Sequence, residues 1–208
     1  MLYLSTAVVS ISDWLRISLV YCHLLLCAFA ITAVLKTDLK IILGKFTHAE
    51  ISRAAAGISW LLIGLWASGL AIIYIDTGFN PEVLATKSKL LLKLICVATL
   101  TLNGMVLHKL SFPVLLRSAD SIPLKASVLL VVTGALSTSH WMLAAFVGLS
   151  QPLGKLPTET LLALYGLFVG TVVMTSLFFI PLLSRFPKAN VMRHHSEPTG
   201  IKLIANKS

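Results

Sequence analysis

The chain has 208 residues, 57% of them hydrophobic and 12% charged, and 17 basic against 8 acidic residues leave a net charge of +9. A soluble domain carries about 25% charged residues, so this composition, with a mean hydropathy of +0.90, excludes a water-soluble globular protein and leaves no length for a separate nucleotide-binding or catalytic module. The positive excess fits anionic lipid headgroups as partners, and no nucleic-acid partner is expected.

Met1–Ser12 is apolar but too short to span a bilayer, and it lacks the basic start of a signal peptide, since the first charge is Asp13. It reads as an interfacial arm anchored by Trp14. Crossing a hydrocarbon core of about 30 Å needs roughly 20 apolar residues in a helix. The first run of that kind is Ile17–Leu35, which has no formal charge and holds Cys22, His23 and Cys27. A basic segment follows, with Lys36, Lys40, Lys45 and Arg53.

The second span is Ala54–Ile75, where Gly57, Gly64 and Ala71 repeat at seven-residue spacing and Ser68 follows Gly64 by four. Small residues so spaced let helix backbones approach closely. The third span, Leu90–Leu107, carries Lys93 near its start and Cys96 further in, and it ends at His108 and Lys109. Arg117 and Lys125 precede the fourth span, Ala126–Leu149, again uncharged, in which Ser137-Thr138-Ser139 leads directly into His140. The fifth, Leu161–Leu183, carries Gly166 and Gly170. The fold class expected is therefore all-α, a polytopic integral membrane bundle of five transmembrane helices over residues 1–186, with a flexible cytoplasmic tail over 187–208. The three cysteines read as small core residues and not as a disulfide framework.

Charge orients the bundle. Twelve of the 17 basic residues fall in the two segments after the first and third spans and in the tail. The positive-inside rule then places the N-terminus outside and the C-terminus inside, in a bacterial inner membrane. All eight acidic residues fall outside the five expected spans, which argues against a carboxylate-based proton pump.

An ionisable ring in hydrocarbon is costly and marks a functional site by default. His23 lies six residues inside the outer boundary of its span and His140 nine residues inside the same boundary, about 9 and 13 Å deep at 1.5 Å per residue. Matched depth points to one shared ligand, a haem b held between the first and fourth spans, with His23 and His140 as its two axial ligands. Such a centre favours electron transfer, because no coordination position stays open. Ser137, Ser139 and helix carbonyls are the available acceptors for the second ring nitrogen of His140. Lys93, Lys89 and Arg16 stand at the outer side, where they would offset haem propionates. His108 sits at a helix end, where a polar residue costs little, and His48, His194 and His195 read as solvated.

Residues 16–110 resemble the HemJ-type protoporphyrinogen oxidases and the CopD-like copper-resistance membrane proteins. The likeness rests on His23 in the first helix, the glycine-bearing second helix after a basic segment, and Lys93-Leu-Ile-Cys-Val leading to His108-Lys109. In the HemJ-type family a first-helix histidine and a third-helix lysine are the functional pair, so the resemblance implies those roles for His23 and Lys93. The family's Trp-x-x-Gly-Leu pattern after that histidine is missing, and His140 lies beyond the likeness. Four readings stand: a haem-b electron carrier or redox-complex anchor with quinone or subunit partners; a HemJ-type oxidase; a copper transporter using Cys22, His23 and Cys27; and a cofactor-free structural subunit.

Overall fold

The computed structural model describes residues 10–43, 46–113 and 124–183. All regular structure among them is helical. Helix α1 runs Ile11–Ile42, α2 His48–Thr77, the short α3 Pro81–Ala85, and α4 Ser88–Val106, which continues through a π-helical turn at Leu107–Ser111. Helix α5 spans Leu124–Leu149, a 3-10 turn follows at Pro152–Lys155, and α6 covers Thr158–Leu183. Five of these segments are long and apolar enough to cross a membrane: Ile11–Ile42, Ala49–Thr77, Ser88–Ser111, Ser127–Leu149 and Thr158–Ile180.

The helix ends have local causes. Ser10 accepts from the Asp13 backbone N–H at 3.2 Å while the Asp13 carboxylate accepts from the Ser10 N–H at 3.0 Å. This reciprocal capping box starts α1 at Ile11. The end of the expected arm, Ile11 and Ser12, is therefore already helical, and Trp14 sits in the first turn, 62% exposed. Met1–Val9 lies outside the described residues. Thr47 and Glu50 form the same box at the start of α2. Helix α2 ends at Gly78, whose φ of +57° suits glycine, and Asn80 Oδ1 caps α3 by accepting from the Glu82 N–H at 2.9 Å.

Helix α1 has 32 residues and is about 48 Å long, well beyond the roughly 30 Å of hydrocarbon. The difference from the expected Ile17–Leu35 span matters. Lys36, Asp38 and Lys40 are not in a loop; they occupy the last two turns of α1. Asp38 there accepts a hydrogen bond from Thr138 of α5. An acidic side chain beyond the expected apolar span thus still belongs to the helix bundle, because α1 outlasts that span.

Helix α1 packs chiefly along α2, while α4, α5 and α6 pack on one another, and α1 meets α5. Ala30 and Val34 of α1, Leu65 of α2, Leu100 of α4 and Trp141 of α5 form one buried cluster. Leu92 and Cys96 of α4, Val147 of α5 and Leu161 of α6 form the other. Many large apolar side chains face outward, as with Trp60 at 72% and Phe178 at 80% exposure. Water penalises so extensive an apolar surface, whereas lipid accommodates it.

The small residues divide. A Cβ on Gly64 would lie 3.2 Å from the Leu26 side chain, so this glycine does let α1 and α2 close up. Gly57, Gly166 and Gly170 have no such neighbour within 4 Å. The cysteines divide as well: Cys96 is core, Cys27 is half-buried against the α1–α2 core, and Cys22 faces outward, unlike the expected core residue.

Candidate functional site: His23 and its surroundings

His23 projects from α1 toward α2. Its Nδ1 lies 2.8 Å from Ser68 Oγ. The Ser68 hydroxyl donates its own hydrogen to the Gly64 carbonyl at 2.7 Å. Toward the ring it can therefore only accept, which makes Nδ1–H the donor and leaves a lone pair on Nε2. That nitrogen has no hydrogen-bond partner among the described residues, yet no fully buried side-chain nitrogen or oxygen among them lacks one. Nε2 thus remains reachable. Gly69, one residue on, lies along the ring, and a Cβ there would be 3.5 Å from Cε1. A ligating histidine is characteristically held this way, with its second ring nitrogen donating to a fixed acceptor.

Lys93 of α4 stands within electrostatic reach of the His23 ring, and Lys89 stands one turn before it. Lys89 donates to the Gly148 carbonyl of α5 at 3.2 Å. Arg16 is already engaged: its Nε is 2.6 Å from one Asp76 oxygen and its Nη2 is 3.2 Å from the other, joining the start of α1 to the end of α2. Of the three cations expected at an anionic cofactor, Lys93 is the one with no hydrogen-bond or ion-pair partner among the described residues, and it is the one near His23.

His140 has different surroundings. It is 1% exposed, packed between α4, α5 and α6. Nδ1 donates to the Leu136 carbonyl at 2.8 Å, since a carbonyl can only accept. Nε2 lies 3.0 Å from the Tyr165 hydroxyl of α6, which also reaches Thr99 Oγ1 of α4 at 2.9 Å. The Tyr165 and Phe168 rings stand edge-on to the imidazole, at 5.8 and 6.1 Å. The carbonyl, not Ser137 or Ser139, is the acceptor for Nδ1, and Ser139 donates to the same Leu136 oxygen at 3.2 Å.

Of the expected site residues, Lys93 is the one whose charge reaches the His23 ring. The hydrogen-bond and ring partners of His23 and His140 have no residue in common. His108 is exposed, and its Nε2 is 3.1 Å from Ser59 Oγ of α2. The His48 side chain, His194 and His195 lie outside the described residues. Sequence reasoning passed over Tyr165 and Thr99. A signal was there for the tyrosine: Leu161, Tyr165 and Phe168 fall at helical spacing on one stripe of α6, and Leu161 is wholly buried.

The donor set can be tested against what a metal needs. No three of His, Cys, Asp and Glu among the described residues come together as a chelating group. A bare ion held by protein alone commonly takes three or more such ligands. A haem iron brings four nitrogens of its own and takes as few as one from the protein. His23, with Nδ1 pinned and Nε2 open, fits that single-ligand demand. His140 fits only after Tyr165 lets go of Nε2.

Comparison with protein-family models, with curated proteins and with solved structures finds no match to this chain.

Proposed function

We propose that this chain is a haem-b-binding integral membrane protein with a redox role, in which His23 is the iron ligand and Lys93 the cation that meets a haem propionate. The observation that carries the reading is the Ser68–His23 hydrogen bond, which orients an imidazole at the helix interface and leaves its Nε2 lone pair open. When bound, the haem supplies a one-electron iron centre. The residues do the rest: Ser68 fixes the tautomer and ring orientation of His23, Gly69 leaves the ring face clear, and Lys93 offsets negative charge beside it. Arg16 and Lys89 act at the periphery, through the partners they already hold. His140 becomes a second ligand in this reading only by exchanging Tyr165 for iron. The electron partner is a quinone or a subunit of a larger redox complex.

The bundle sits N-out and C-in in a bacterial cytoplasmic membrane, with residues 187–208 as a cytoplasmic tail. The support is the bias of basic residues to one side.

A second reading has its own support. Lys93 lies within electrostatic reach of His23, and the two are the pair that the resemblance to HemJ-type oxidases implies. On that reading the pair handles a tetrapyrrole substrate, protoporphyrinogen. A copper transporter draws less support, because Cys22 points outward from the bundle.

The absorption spectrum of the purified protein tests the proposal. A reduced b-type spectrum that is lost in His23→Ala supports it. Copper without a Soret band, or a wild-type spectrum in His23→Ala, overturns it.

A further inference from the structure

At the end of the bundle where α1 meets the start of α2, a groove of about 270 Å³ opens between the two helices. Its polar wall carries Lys36, Lys40 and Arg53, opposed by one carboxylate, Glu50. Its floor is apolar and includes Phe46 and Ile51, both buried.

The charges in the groove are unequally free. Glu50 is committed: one oxygen accepts from Lys40 Nζ at 2.7 Å, and the other accepts from the Thr47 N–H at 3.0 Å and hydroxyl at 3.2 Å. That pairing cancels Lys40. Arg53 uses only Nε, which donates to the Ala49 carbonyl at 3.2 Å, so its two terminal amino groups face no partner among the described residues. Lys36 makes no hydrogen bond or ion pair among them either. Two uncompensated cations therefore share one concave site.

Depth narrows what they would meet. Lys36 is the first charged residue after the uncharged Ile17–Leu35 run, so the groove lies where hydrocarbon gives way to headgroups. The neighbouring outer surface of α1 stays apolar, with Leu35, Leu39 and Ile42 exposed. A ligand carrying an anionic oxygen cluster at the groove and acyl chains along that surface would satisfy both. Arginine and lysine are suited to phosphate oxygens, the first through its planar fork and the second as a point charge.

We propose that the α1–α2 groove binds the phosphate of an anionic membrane lipid, gripped by Lys36 and Arg53, with Lys40 held in reserve by Glu50. Basic pockets between transmembrane helices take anionic headgroups for the same physical reason. The site is separate from His23 and does not depend on any cofactor.

The test uses the full-length protein in a neutral detergent, titrated with phosphatidylglycerol, with phosphatidylcholine of the same chains, and with inorganic phosphate. Native mass spectrometry reads the bound lipid. The wild type should retain phosphatidylglycerol in preference to phosphatidylcholine. A Lys36→Gln/Arg53→Gln variant should bind it about thirtyfold more weakly, the equivalent of about 2 kcal/mol for two charges at 1.4 kcal/mol per tenfold. A Lys87→Gln/Lys155→Gln variant, equal in charge but outside the groove, should bind like the wild type. Lys36→Arg/Arg53→Lys should keep the preference, which guards against a folding defect in the neutral pair. Equal binding of the two lipids, or an equal loss in the Lys87/Lys155 variant, would overturn the site. Inorganic phosphate binding through Lys36 and Arg53, without phosphatidylglycerol binding, would overturn the lipid source and assign the groove to a free anion.

Discussion

Tyr165 holds the Nε2 atom of His140 at 3.0 Å, so the nitrogen that a metal would need from this histidine is already bonded to protein. His23 presents the opposite case, with its Nδ1 pinned by Ser68 and Nε2 open. The two histidines, expected from residue counting at similar depths, differ in availability, and that difference directs the first prediction.

His140 acts as a lock between α4, α5 and α6. His140→Ala should leave the b-type absorption in place while lowering the stability of the detergent-solubilised protein by about 1–3 kcal/mol, from lost packing and lost interhelical bonding. Tyr165→Phe should cost less, about 0.5–1.5 kcal/mol. Thermal melts followed by circular dichroism, with spectra taken on the same samples, check both. A folded His140→Ala protein whose b-type spectrum is lost or converted would restore His140 as the second axial ligand.

Lys93 separates the carrier from the oxidase. In a carrier, Lys93→Met should keep the haem and lower its reduction potential, because the reduced centre is the more negative state and loses a nearby cation. A fall of the order of 60 mV corresponds to a tenfold change in equilibrium constant for one electron. Redox titration reads this directly. Complementation of a protoporphyrinogen-oxidase-deficient strain by the wild type, lost in Lys93→Met, would favour the oxidase instead.

Asp38 ties α1 to α5 through Thr138. Asp38→Asn retains an oxygen to accept from that hydroxyl and should be nearly neutral. Asp38→Leu leaves Thr138 without its acceptor and should destabilise by about 1–3 kcal/mol. Melting both variants in the same detergent tests the contact; equal effects would mean that charge, not hydrogen bonding, matters at this position.

Gly64 and the Gly166/Gly170 pair should respond differently although their sequence signals look alike. Gly64→Leu drives a side chain into Leu26 and should cost about 1–3 kcal/mol. Gly166→Ala and Gly170→Ala enter open space and should be neutral or slightly stabilising. A destabilised Gly166→Ala protein would point to a helix packed there from another chain.

Cysteine labelling tests the proposed orientation. Ser196→Cys and Gly78→Cys should react from opposite sides of the membrane, the first from the cytoplasm. Reaction of both from one side would rule out five spans in the N-out, C-in sense.

Composition and run length alone determined that this is a chain of five long apolar helices. In hydrocarbon each backbone polar group must be satisfied within its own segment, so the requirement is local and can be read residue by residue. The helix ends escaped that reading in part. Apolarity stops at Leu35, but hydrogen bonding continues for another two turns through Lys36, Asp38 and Lys40, because a helix can outlast its apolar run. The site was legible in one dimension only. Counting residues gives an expected depth along a helix axis, and from the expected span boundaries His23 and His140 come out at similar depths. It gives neither the direction in which each side chain points nor the helix that packs there. Those follow from tertiary packing, in which Trp141 turns toward α1 while His140 bonds to α6 and His23 bonds to α2. Packing also consumed Arg16 through Asp76, sixty residues away, and left Lys93 near His23. A partner that distant in sequence leaves no local trace, because the contact exists only once the helices have chosen their neighbours.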